Sequence, residues 1–159
     1  VTLSVRPARP SELDSLGAIE MTADTMFALH GIVFPPGQPT IEAAVDHGAE
    51  VFVVGEPPIA FAALVELDGH PHLEQISVHA DHGRQGIGSM LLDEVVRRAG
   101  AGVTLLTFRD IPWNGPWYAG HGFVELPEEE FGPELRTHWQ AEIDAGLHAL
   151  GHRLAMRHP

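Results

Sequence analysis

The 159-residue chain is the size of one domain, 1–159, and its 44% hydrophobic content suits a globule with a real core. A formal charge of −13 argues against a nucleic-acid partner, whose phosphates demand a basic surface, and no apolar run approaches the ~20 residues that cross a bilayer. Cysteine and lysine are both absent, which excludes disulfides, thiolate metal sites, a cysteine nucleophile and a Schiff-base lysine. Residues 1–7 lack the features of a signal peptide, so the expected location is cytoplasmic.

Residues 2–6 alternate and predict a short strand. Ser11 offers an N-cap, and Leu13, Leu16, Ile19, Ala23 and Met26 follow at helical spacing until Gly31. Residues 34–39, with three prolines, predict an irregular loop, after which Thr40 caps a short helix reaching Val45. Residues 51–54 form a strand. Residues 59–67 form a longer one, apolar on both faces and therefore central in a sheet. Asp68-Gly69 is a hairpin turn, and the chain returns as a strand over 72–78. A glycine-rich turn leads into a helix over 89–99, apolar at Leu91, Leu92, Val95, Val96 and Ala99. The strand after it, 103–108, should lie parallel to 72–78, because a helical crossover joins them. A short strand at 123–126, a polar helix at 133–147 and a last strand at 153–157 complete the chain. The expected fold is α/β: a mixed antiparallel and parallel sheet flanked by helices.

The turn reads Gly83-Arg84-Gln85-Gly86-Ile87-Gly88-Ser89. Such a turn gathers free backbone N–H groups at the positive end of a helix dipole, which suits a phosphate. Its order is G-x-x-G-x-G, so it is neither a dinucleotide fingerprint nor a P-loop. It resembles motif A of the GNAT superfamily of N-acetyltransferases, R/Q-x-x-G-x-G/A. Gly86 and Gly88 fall on the two motif glycines, and Gly83 stands where that family prefers Arg or Gln. The resemblance implies a GNAT-like fold, acetyl-CoA as co-substrate and no metal. Residues 83–89 would hold the CoA diphosphate through their N–H groups, and the backbone of Ile76 and Val78 would pair with the pantetheine arm.

A second stretch, Pro112-Trp113-Asn114-Gly115-Pro116-Trp117-Tyr118, ends in His121-Gly122-Phe123. Asn114 suits an N-cap and Pro116 the first helical turn. The stretch resembles motif B of the same superfamily, in a Pro-Trp-Asn-x-Pro-aromatic-Tyr form found in a bacterial subgroup. The likeness makes Asn114 a CoA contact and Tyr118, the only tyrosine, the general acid that protonates the departing thiolate. Packing of the aromatic core is the simpler reading of Trp113 and Trp117.

Acetyl transfer also needs a base, because free alkylamines are mostly protonated near neutral pH. His70, His72 and Glu74 alternate and would share one strand face. Glu74 is the expected base or water-orienting group, His72 a proton relay and Glu66 the reserve; ordered water alone is the alternative. The GNAT resemblance makes the Val78 amide the expected oxyanion donor. Two further readings stand beside the enzyme: a non-catalytic acyl-CoA-binding module, and a metal-dependent enzyme built on His70, His72 and Glu74. The acceptor would be a small-molecule, peptide or protein amine. Glu20, Asp24 and the run Glu128-Glu129-Glu130 are available to meet a cation. The resemblance also allows a homodimer.

Overall fold

The computed structural model describes residues 3–159. The first strand, β1, is Val5–Pro7, so the Thr2 end of the expected strand lies outside the described residues. The expected continuous first helix is a composite. A 3₁₀ turn at Pro10–Ser15 leads into α1, Leu16–Asp24, and a second 3₁₀ turn at Thr25–His30 ends at Gly31. Apolar spacing of three or four fits either helix type, so the pattern alone could not separate them. Thr22 and Thr25 turn their hydroxyls back onto carbonyls three residues earlier, which competes with regular helix bonding where α1 ends. Ser11 caps nothing; Arg9 precedes the first turn, with its backbone N–H bonded to Glu12.

α2 is Thr40–Asp46, β2 Glu50–Val54, β3 Ala60–Leu67 and β4 His70–Val78. α3 is Ile87–Ala99, β5 Thr104–Phe108, α4 Gly115–Gly120 and β6 Val124–Leu126. The expected single late helix is two, α5 at Pro133–Asp144 and α6 at Leu147–Leu150, broken by the left-handed Gly146. β7 is Arg153–Arg157. The seven strands lie in the order β1-β2-β3-β4-β5-β7-β6. β4 and β5 are parallel and every other pair is antiparallel, so the mixed sheet is as expected.

Two layers of helices cover the sheet. α3 buries Ile87, Leu91, Leu92 and Val95 on one face, against Phe52, Ala62, Leu64, Leu73 and Leu105. On the other face, Leu16, Ile19 and Ile41 of α1 and α2 cover Val51, Val53, Phe61 and Ala63. Further along that face, Leu135 of α5 packs with Phe131, Leu126 and Ala155. β4 lies between these two groups of helices and carries the expected base Glu74 and relay His72, whereas Tyr118 is on α4.

The β4–β5 pairing has one registered position, His72 opposite Thr104, near the start of both strands. β3 pairs with β4 along its whole length, so the β5-side edge of β4 is open over its second half. A register shift between Ala63 and Leu64 brings those neighbours opposite Gln75 and Leu73. Glu74 is therefore the extra residue of a β-bulge.

Candidate active site

The turn 83–89 is built as a cradle. Arg84 and Gly86 both take the left-handed backbone conformation, at φ 62° and 77°. Gly86 needs that freedom, whereas Gly83 sits at φ −65° and does not. That explains why the departure from the motif at Gly83 leaves the turn intact. The loop residues are exposed, and the first N–H groups of α3 have no helical acceptor. Gly88 packs beneath Trp117 and Val78: a Cβ there would lie 3.4 Å from Trp117 Cζ2 and 3.7 Å from Val78 Cγ2. The turn, the end of β4 and α4 therefore meet at one point. Ser89 Oγ lies 3.0 Å from His121 Nε2, a second link between α3 and α4.

Tyr118 is buried in the α3-side core, edge-on to Trp117 and Phe123. Burial pushes its phenol well above the ordinary value, with Arg153 acting weakly the other way. The hydroxyl is therefore protonated near neutral pH. Asn114 corrects its expected role in part. Its side chain does not cap α4; Oδ1 accepts from the Thr107 hydroxyl at 2.8 Å and the Phe108 N–H at 3.3 Å, tying α4 to β5. Gly115 seals that junction, since a Cβ there would lie 2.8 Å from the Arg109 carbonyl oxygen.

On the opposite sheet face, the bulge puts Glu74 beside His72, with Glu74 Oε2 3.8 Å from His72 Nε2. His72 is 2% exposed, and burial pushes its imidazole down to about 4, against the pull of Glu74. It is neutral near pH 7, with Nδ1 2.8 Å from the Thr104 hydroxyl. His138 of α5 completes the group: its Nε2 sits 2.9 and 2.8 Å from the two Glu74 oxygens. Burial works to raise Glu74, but the hydrogen bond and charge of His138, helped by His72 and His47, hold it below the carboxylate range. The same bond raises His138 against its own burial.

His70 is exposed at the hairpin and does not join them, so the expected His70/His72/Glu74 metal set is not assembled. The group that does assemble is His72, Glu74 and His138, with potential ligand atoms within 4.8 Å of one another. In it both Glu74 oxygens already accept from His138. Glu66 is exposed and shares the strand face of Leu64, which packs toward α3, so it is on the wrong side to serve as the reserve base.

Two carboxylates fix the helices around this group. Glu20 is buried and accepts from the Thr40 and Ile41 N–H groups at 2.6 and 2.8 Å, capping α2 from α1. It is therefore committed to structure rather than to a cationic substrate. Asp68 of the hairpin turn accepts from the Glu134 and Leu135 N–H groups at 2.8 and 3.0 Å, capping α5. That cap holds α5 where His138 can reach Glu74. Asp24 is half-buried at the end of α1, and burial together with Glu20 pushes it up to about 7. Two concavities, of about 290 and 210 Å³, lie along β6–β7 and beside the hairpin; neither is lined by the turn or by Tyr118.

Residues 47–125 match the family model of the acetyltransferase (GNAT) domain. This stretch, just under half of the chain, is thus similar to acetyltransferase domains of the GNAT kind. The match ends within β6, so α5 and with it His138 lie outside it. Solved structures share the fold at low identity. The ribosomal-protein-S18-alanine N-acetyltransferase of Escherichia coli aligns at TM-score 0.69 and 18% identity, over 99% of this chain and 94% of that one. A GNAT-family acetyltransferase of Staphylococcus aureus aligns at 0.70 and 16%, over 98% of both chains. N-acetylglutamate synthase of Neisseria gonorrhoeae, complexed with coenzyme A and N-acetyl-glutamate, aligns at 0.70 and 16% over 99% of this chain. This chain spans 35% of that longer protein.

Proposed function

We propose that the chain acts as one domain, an N-acetyltransferase that moves the acetyl group of acetyl-CoA to an amine by direct attack. The observation that carries this reading is the packing of the turn 83–89, exposed over 83–86, against the Trp117-Tyr118 helix at the open edge of β4. A diphosphate on the N–H groups of 83–89 would send the pantetheine arm along Ile76 and Val78, with Asn114 alongside. The thioester would then lie between β4 and β5, near Tyr118. The amine forms the C–N bond as the C–S bond breaks, with the Val78 amide donating to the oxyanion. Tyr118 gives its proton to the sulfur, and the amine's surplus proton passes, directly or through water, to Glu74 and on to solvent.

The buried, neutral His72 orients Glu74, and His138 balances its charge. The names of the Escherichia coli and Neisseria proteins both describe N-acetyl chemistry, which supports an amine acceptor. Half-buried Asp24 is the candidate contact for a cationic one.

Tyr118→Phe tests the proposal. The expected result is a kcat loss of roughly 10²-fold or more, with acetyl-CoA affinity held within about two-fold. Thiol release over an amine panel supplies the rate, and thermal stabilisation by acetyl-CoA but not by NAD supplies the binding. Stabilisation without turnover of any amine would instead mark a non-catalytic acyl-CoA-binding module. No stabilisation at millimolar acetyl-CoA defeats the proposal.

A further inference from the structure

His121 stands on α4 just where the helix ends, and its two ring nitrogens have fixed partners. Nδ1 lies 2.8 Å from the Trp117 carbonyl oxygen, which can only accept, so Nδ1 carries a hydrogen. In the neutral ring Nε2 is then an acceptor, and the Ser89 hydroxyl 3.0 Å away must donate to it. Ser89 is in the first turn of α3, among the N–H groups of the proposed diphosphate cradle. With its hydrogen turned toward His121, it offers an anion only lone pairs. Protonation reverses the bond: Nε2–H donates to Ser89 Oγ, and the hydroxyl hydrogen becomes free to meet a phosphate oxygen.

We infer that His121 belongs to the cofactor site, taking up a proton when a CoA diphosphate binds and so switching Ser89 from donor to His121 into donor to the phosphate. The inference rests on the proposal that CoA occupies the turn 83–89. No proton is made or lost in the step: one passes from solvent to Nε2, and the serine hydrogen only reorients. Arg84 is in the turn itself, Asp93 follows Ser89 by one turn of α3, and His158 packs against Phe123 and beside Gly122. On a chain without lysine, His121 adds positive charge at the phosphates only while the ligand is there.

Calorimetry of acetyl-CoA binding at about pH 7.5, in buffers of different ionisation heat, tests the inference. The wild-type chain should take up about half to one proton more than His121→Gln, a difference that cancels any proton change on the CoA phosphates themselves. The variant should bind roughly ten-fold more weakly at about pH 6.5, with its disadvantage shrinking as pH rises. Ring ¹⁵N spectra of the unmodified chain give a second reading, with Nδ1–H neutral imidazole when free and imidazolium when saturated. Equal proton uptake in both proteins, or a neutral His121 in the saturated complex, overturns the inference and leaves the cofactor proposal standing. No binding at millimolar acetyl-CoA overturns both.

Discussion

Asp24 is the residue whose ionisation works most plainly against the fold. Its carboxyl is pushed from 3.8 up to about 7 by burial first and by Glu20 second. A folded-state value above the unfolded one means the neutral form is favoured in the native chain. Its contribution is full at low pH and is lost as pH rises from about 4 through about 7. Asp24→Asn should therefore remove that decline and raise stability above pH 7 by roughly 1–2 kcal/mol, allowing for solvent screening of a half-exposed group. Urea melts at pH 5 and pH 8 check it; equal stability loss in both proteins between those pH values would count against it. Tyr118 and the glycines of the turn were legible in the sequence, because each belongs to a local pattern of fixed spacing. His138 was not: its bond to Glu74 spans 64 positions, and no local spacing encodes such a contact. His121 was missed for a different reason. It lies inside the stretch 112–123, but its bonds to Trp117 and Ser89 depend on which atom each nitrogen faces.

At the scale of elements, the active face depends on helix ends secured from a distance. α5 has no side-chain cap of its own; Asp68, from the β3–β4 turn, supplies it, and Glu134 returns a bond to the Asp68 N–H at 2.7 Å. Asp68→Ala should cost about 1–2 kcal/mol and leave the first turn of α5 frayed. Since that helix carries His138, acetyl transfer should fall with it while acetyl-CoA binding holds. Faster amide exchange over 134–138 is the expected sign; unchanged exchange there would mean that the cap does not order α5. The strands after β1 were legible to within a residue or two, as were α3 and the parallel crossover, since hydrophobic period and crossover length are local signals. The bulge at Glu74 was not, because an alternating strand and a bulged one carry the same residues. His72 and Glu74 come together as their alternation predicts, but His70 stays exposed at the hairpin and His138 takes the place given to it.

For the whole molecule, the formal charge of −13 is spread over a surface with only nine cationic side chains. Several of these are paired within the chain, as Arg6 is with Glu12, Arg97 and Arg98 with Glu94, and Arg153 with Glu142. The unpaired acids repel one another, and added salt shortens the range of that repulsion. Raising sodium chloride from about 0.02 to 0.5 M should lift the melting temperature by roughly 2–5 °C; a fall would show that the surface ion pairs outweigh the repulsion. Strand order was the least legible feature. Nothing local announces that the strand latest in the chain slots between two earlier ones. Yet β7 does so, bonding to β5 on one side and β6 on the other, and β6 pairs with no other strand. During translation, then, β6 leaves the ribosome with no edge to join, and this side of the sheet stays unzipped until residues 153–157 clear the exit tunnel. The half of the molecule that carries the glycine turn can settle first; the half that carries His138 must wait for β7.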